Sequence, residues 1–421
     1  MQGDPPVTSG SDGATGTSPR AVPFSPPDIR EEDIRAVVDV LRSGWITSGP
    51  VGRTFEGELA AATGADGALL VSSATTALET ALRLLGVGPG DEVVTTAYTY
   101  SASAAVIAHV GADIRLVDTA PGGFAPRVED VLAAVTPRTK AVVTVDLGGV
   151  LFDHEALAAA LAGRPDFTPA GPVQEALGRV AVVADAAHSL GAVLRGGRSG
   201  SLADLTAFSF HAVKNVTTGE GGALLWRAPD GVPADDLRAR ARLLTMHGQT
   251  KDALAKTRLG SWEYDIAELG HKCNLPDVLA ALGLSQFRRY EELLERRHAV
   301  VARYDRRLDG TGITSLVHTG PDFRSSAHLY LALLPSSDVA ARNAVIEGMA
   351  TDGIAANVHY KPLPLLSAYR TLGFDPQDVP NAMDVYGRVV SLPLHTLLTD
   401  DDVDRVAASL VRHAAGPAPA A

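Results

Sequence analysis

Between Ala68 and Phe210 the chain repeats one arrangement: a short, uninterrupted apolar run, then a stretch with apolar residues at helical spacing. Ala68–Val71, Glu92–Thr95, Ile114–Val117, Ala141–Val145, Val180–Ala184 and Leu205–Phe210 read as strands, with helices such as Thr76–Leu85 and Ser101–Val110 between them. Strands without polar alternation are buried on both faces. Intervening helices supply the crossovers that a parallel sheet needs. The reading is an α/β protein with a mostly parallel central sheet.

After about residue 290 the pattern changes. Glu291–Leu308 reads as a charged amphipathic helix, His328–Leu334 and Ile354–His359 as strands, and Asp400–His413 as a closing helix. With 421 residues, more than one core is expected. The sequence divides into a large unit over 21–290 and a smaller α+β unit over 291–421. Residues 1–20 are rich in Gly, Ser, Thr and Pro, a composition that cannot offset its ordering entropy, and read as a disordered tail. Residues 165–178, interrupted by Pro and Gly, read as a surface insertion.

Charge and cysteine content narrow the partners. A net charge of −12 repels phosphate backbones, which argues against nucleic acid. A single cysteine, Cys273, excludes a disulfide framework and a multi-cysteine metal centre, and no metal site is expected. No apolar run is long enough to span a bilayer and no secretory h-region is seen, so the expectation is a cytoplasmic protein without a membrane partner.

Three segments carry possible chemistry. Val71-Ser72-Ser73-Ala74-Thr75-Thr76 runs from a strand into a helix start, which suits a phosphate, although the same hydroxyls serve equally as a helix cap without ligand. Asp185, following Val180–Ala184, sits at the end of a buried strand, where open α/β sheets bind ligands; an aspartate capping a turn is the plain alternative. Lys214, in Phe208-Ser209-Phe210-His211-Ala212-Val213-Lys214-Asn215, precedes a glycine cluster. It is one of six lysines, and as a solvated loop residue it would do no chemistry. Together the three supply a phosphate site, a carboxylate for a pyridinium nitrogen and an amine for an aldehyde, the requirements of pyridoxal 5′-phosphate. Tyr100 adds an aromatic face after another strand.

In this order the residues resemble the DegT/DnrJ/EryC1/StrS family of pyridoxal-phosphate-dependent sugar aminotransferases, of aspartate-aminotransferase fold (fold type I). The likeness runs from about Phe24 to Val411. It includes Gly44–Pro50, Gly90–Val94 with Tyr98–Tyr100, Asp185–Gly191, Phe208–Gly222, Gly270–Asp277, His359–Pro362 and Ser391–Leu394. The resemblance implies that Lys214 binds the cofactor aldehyde and moves the substrate proton, and that Asp185 holds the ring nitrogen protonated. It further implies that Tyr100 stacks on one ring face while His188 lies near the other face or the phenolic oxygen. Ser73, Ala74, Thr75 and Ser209 would bind the phosphate. Asn274, with Lys272, would arrive from the partner subunit of a homodimer with shared active sites. The implied reaction moves an amino group from an amino acid, glutamate foremost, to a nucleotide-linked keto-sugar at C4. A keto-cyclitol acceptor, or a regulatory protein that binds the cofactor without turnover, are the alternatives.

Overall fold

The computed structural model describes residues 20–251 and 263–415. Five strands lead, β1 (Gly67–Val71), β2 (Glu92–Thr96), β3 (Asp113–Val117), β4 (Thr139–Val145) and β5 (Ala181–Asp185). A small hairpin of β6 (Val193–Leu194) and β7 (Gly197–Arg198) precedes β8 (Leu205–Ser209) and β9 (Gly222–Trp226). The main sheet takes the order β1-β9-β8-β5-β4-β2-β3. Only β9 runs antiparallel to its neighbours; the other ladders are parallel. The expected mostly parallel sheet is therefore present, with strand ends within two residues of those read from the sequence.

Alternation along the strands explains the unbroken apolar runs. In β1, Ala68 and Leu70 enter one core while Leu69 and Val71 enter the other; in β5, Val182 and Ala184 oppose Ala181 and Val183 in the same way. Helices cover both faces of these strands, which leave no position for a solvated side chain, whereas the edge strand β3 exposes Asp113 and Arg115.

The helix Tyr290–Leu308 leads into a second, antiparallel sheet, β10-β12-β13. Its strands are β10 (Thr314–Ser315), β12 (Tyr330–Leu333) and β13 (Val389–Leu392), while β11 (Phe323–Arg324) pairs instead with β6 of the hairpin. Helices Val339–Thr351 and Asp400–Ala414 cover this sheet, and Val22 joins their core.

Two expectations need correction. The run Ile354–His359 forms no strand: Ile354 bridges to Val22 and Asn357 to Ser391, so its pairing is split between two partners and no ladder develops. Residues 165–178 are more than a surface insertion. They contain the helix Pro172–Leu177, and buried Gln174 donates to the Lys140 carbonyl at the start of β4. Lys140 in turn donates to the Thr168 carbonyl at 2.7 Å, so the segment is pinned at both ends. The expected tail, 1–20, lies outside the described residues except for Arg20. Among the described residues no helix is long and apolar enough to cross a membrane.

Candidate active site

A cavity of about 480 Å³ opens at the C-terminal edge of the main sheet. Ser73 follows β1, Tyr100 follows β2, Asp185 ends β5 and Ser209 ends β8, so four strand ends deliver side chains to one hollow. This is where open parallel sheets bind ligands. Ser73, Ala74, Thr75, Tyr100, Asp185, His188, Ser209 and Lys214 all line it. Asn274 does not: it pairs with Val71 at the end of β1, and its side chain bonds Ser48 and Lys272.

The helix Ala74–Leu84 begins at the cavity wall. Ser73 caps it by accepting the Thr76 amide at 3.1 Å, and the Thr76 hydroxyl accepts the Ser73 amide at 3.1 Å. In that box the Ser73 oxygen accepts, so its own hydrogen remains to donate, to the Thr76 oxygen 3.2 Å away or into the cradle. The Ala74 and Thr75 amides take no acceptor among the described residues and sit at the positive end of the helix dipole. The Ser209 oxygen accepts the His211 amide at 3.3 Å, which leaves its own hydrogen to donate. Gly222 in β9 lies directly behind the cradle. A Cβ there would come within 2.5 Å of the Ser73 carbonyl carbon and 2.6 Å of the Ala74 nitrogen.

Lys214 follows a tight turn in which its amide donates to the His211 carbonyl at 2.9 Å. The next residue, Asn215, spends both ends of its amide on the C-terminal region. It donates to the Ser326 carbonyl at 2.8 Å and to Tyr290 at 3.2 Å, and accepts from His328 at 2.9 Å. Burial lowers the Lys214 amine from its ordinary 10.5 to about 8, against the opposing field of Asp185. Burial raises the Asp185 carboxyl; the Ser103 hydroxyl, at 2.6 Å, the Ala187 amide, at 3.2 Å, and the charge of Lys214 pull it back. His188 is pushed well below 6.5 by burial and by Lys214, so its imidazole is neutral.

Several lining or supporting residues carried no role in the sequence reading: Ser103, His328, His359 and Tyr360. The run His359–Pro362 contributed only to the family likeness, and nothing in the pattern around Ser103 marked it. Burial brings His359 to about 4. Its ring stacks on Phe24 with centroids 5.5 Å apart.

The profile of the DegT/DnrJ/EryC1/StrS aminotransferase family matches residues 27–411. The chain belongs to that family. Among relatives of this DegT/DnrJ/EryC1/StrS member, the spore coat polysaccharide biosynthesis protein SpsC of Bacillus subtilis is 37% identical over 392 residues, covering 91% of this chain and 95% of SpsC. The Streptococcus pneumoniae sugar-aminotransferase candidate Spr1654, solved in its PMP form, superposes with a TM-score of 0.91 at 45% identity, over 94% of this chain and 99% of that one. Helicobacter pylori PseC, an aminotransferase of pseudoaminic acid biosynthesis, superposes with a TM-score of 0.82 at 28% identity, over 94% and 99%. The two sheets described above are thus the fold type I architecture of this family's sugar aminotransferases.

Proposed function

We propose that the protein is a pyridoxal-phosphate-dependent aminotransferase that carries an amino group from L-glutamate to C4 of a nucleotide-linked keto-sugar. The observation that carries this reading is the meeting of Lys214, Asp185 and the open helix start at Ala74–Thr75 around one cavity. The donor set fits the cofactor: unclaimed amides for a phosphate, a buried carboxylate for a ring nitrogen, and an amine tuned toward neutrality for an aldehyde. Bound there, pyridoxal phosphate supplies an exchangeable carbonyl and an electron-withdrawing ring.

The chain's own residues supply the rest. The Ala74 and Thr75 amides, with the Thr75 and Ser209 hydroxyls, hold the phosphate. Asp185, its carboxyl accepting from the Ser103 hydroxyl and the Ala187 amide, would hold a proton on the ring nitrogen. Tyr100 would cover one ring face, and neutral His188 would border the other without adding a second positive charge. Lys214 would hold the cofactor through its aldehyde, and its amine would carry the proton to and from the substrate carbon. Asn274, turned away from its own cavity, serves the site of a second copy in a cytoplasmic homodimer. We assign the division at about residue 290 as that between a cofactor-binding unit and a smaller C-terminal unit. The sugar-pathway relatives favour a sugar over a cyclitol acceptor. An intact lysine and carboxylate favour turnover over binding alone.

The test is spectroscopic. Added pyridoxal phosphate gives visible absorbance with the wild type and none with Lys214→Ala; L-glutamate bleaches that absorbance, and a 4-keto nucleotide sugar restores it. A protein that stays colourless with the cofactor refutes the reading. Bleaching only by other amino acids refutes the donor, and restoration only by unlinked ketones refutes the acceptor.

A further inference from the structure

Beside the residues already assigned, the cavity wall holds a phenol whose hydrogen takes no acceptor among the described residues. Tyr360 reaches the site from the C-terminal region, its ring 6.0 Å from that of Tyr100 and 6.2 Å from that of His188. Its oxygen lies 3.2 Å from His188 Nε2. Which of the two donates is fixed one bond further back. The Gly148 amide approaches His188 Nδ1 at 3.2 Å, and a backbone N–H can only donate. Nδ1 is therefore the unprotonated nitrogen, and the neutral ring carries its hydrogen on Nε2. Nε2–H then donates to the Tyr360 oxygen, and the Tyr360 hydrogen is left to point elsewhere. Tyr98, the neighbouring buried phenol, is already spent on the His359 carbonyl at 2.8 Å. Tyr360 lines both the main cavity and the smaller one beside Lys214. Burial raises its phenol far above the ordinary value, so it stays a donor throughout the working pH range.

We propose that Tyr360 is a catalytic residue whose hydroxyl donates a hydrogen bond to the carbonyl oxygen of the substrate, oriented by the chain Gly148 N–H, His188, Tyr360. The step it serves is addition of an amine nitrogen to that carbonyl carbon. The N–C bond forms, the C=O π pair moves to oxygen beneath the Tyr360 hydrogen, and the proton shed by nitrogen ends on that oxygen. Tyr360 keeps its own proton, and His188 polarises the phenol without becoming charged.

The proposal rests on the aminotransferase reading above, and the experiment separates the two. Tyr360→Phe removes the hydroxyl and keeps the ring. With 2-oxoglutarate as probe, added to enzyme bleached by glutamate, the return of visible absorbance slows by about 100-fold or more, the usual cost of one donor at an oxygen that gains charge. The affinity for pyridoxal phosphate stays at the wild-type value. An unchanged rate overturns the proposal, and so does weakened cofactor affinity, which would assign the hydroxyl to the cofactor. Wild-type protein that neither colours with pyridoxal phosphate nor bleaches with glutamate sinks the underlying reading instead. Side-chain 15N NMR of the protein without cofactor, with His188→Gln to identify the resonance, reports the tautomer directly. Hydrogen on Nε2 supports the chain; hydrogen on Nδ1 overturns it.

Discussion

Replacing Lys214 with methionine tests the electrostatics of the site before any chemistry occurs. Methionine keeps length and apolar volume and removes the titrating amine. A folded value of about 8 against an ordinary 10.5 corresponds to about 3.4 kcal/mol against the charged amine. Lys214 is half-buried, so solvent screening makes this an upper value. The folded value lies below the unfolded one. The penalty is therefore fully present below pH 8 and is relieved as pH rises from 8 toward 10.5. In urea unfolding without cofactor, the variant should gain up to about 3 kcal/mol over wild type at pH 7, the gain shrinking as pH rises across that window. The same depression has a kinetic face. At pH 7.5 about a quarter of the Lys214 amines are neutral, against about one in a thousand for an ordinary lysine. The wild-type rate of colour development with pyridoxal phosphate should then level off near pH 8. A stability gain that is identical at pH 7 and pH 10, or a capture rate still rising tenfold per pH unit above 9, would refute the claim that burial has tuned this amine.

Ser103→Ala removes a charge-assisted hydrogen bond of 2.6 Å, worth about 1.5–3 kcal/mol to an ionised Asp185. Cofactor affinity should fall about tenfold or more, and its decline on acidification should begin at higher pH, since Ser103 acts to lower the carboxyl; titration by visible absorbance from pH 6 to 9 checks both. For Asn274, mixing Asn274→Ala chains with Lys214→Ala chains should regenerate one intact site in each hybrid dimer. No activity regained on mixing would exclude an exchange of residues between subunits.

What could be read in advance followed from burial on both faces of the sheet. Strands such as β4 and β5 leave no exposed position, so their apolar runs are unbroken, and the residue that ends each run reports a functional edge. Asp185, Ser209 and the Ser73–Thr75 start were found in this way. The C-terminal contributions were not, because they answer to no local period. His328 sits just ahead of β12, with its amide drawn off to the Gly148 carbonyl at 3.1 Å, and Tyr360 follows a stretch whose pairing is split between Val22 and Ser391. Ser103 is one hydroxyl in a helix of small residues, and only the fold aims it at Asp185, 82 positions away. Ser73 was legible as a helix start, and its capping oxygen, which accepts the Thr76 amide, keeps its own hydrogen.

The absent side chain at Gly222 fixes more than a local fit. Because β9 returns from the lysine loop to lie against Ser73 and Ala74, the amine-bearing turn and the phosphate cradle are held at one spacing, as jaws cut from a single block. Phe24 and His359, stacked beside the smaller cavity, hang from other parts of the chain. Variation among them can reshape what the enzyme accepts while the grip on the vitamin-derived group stays constant.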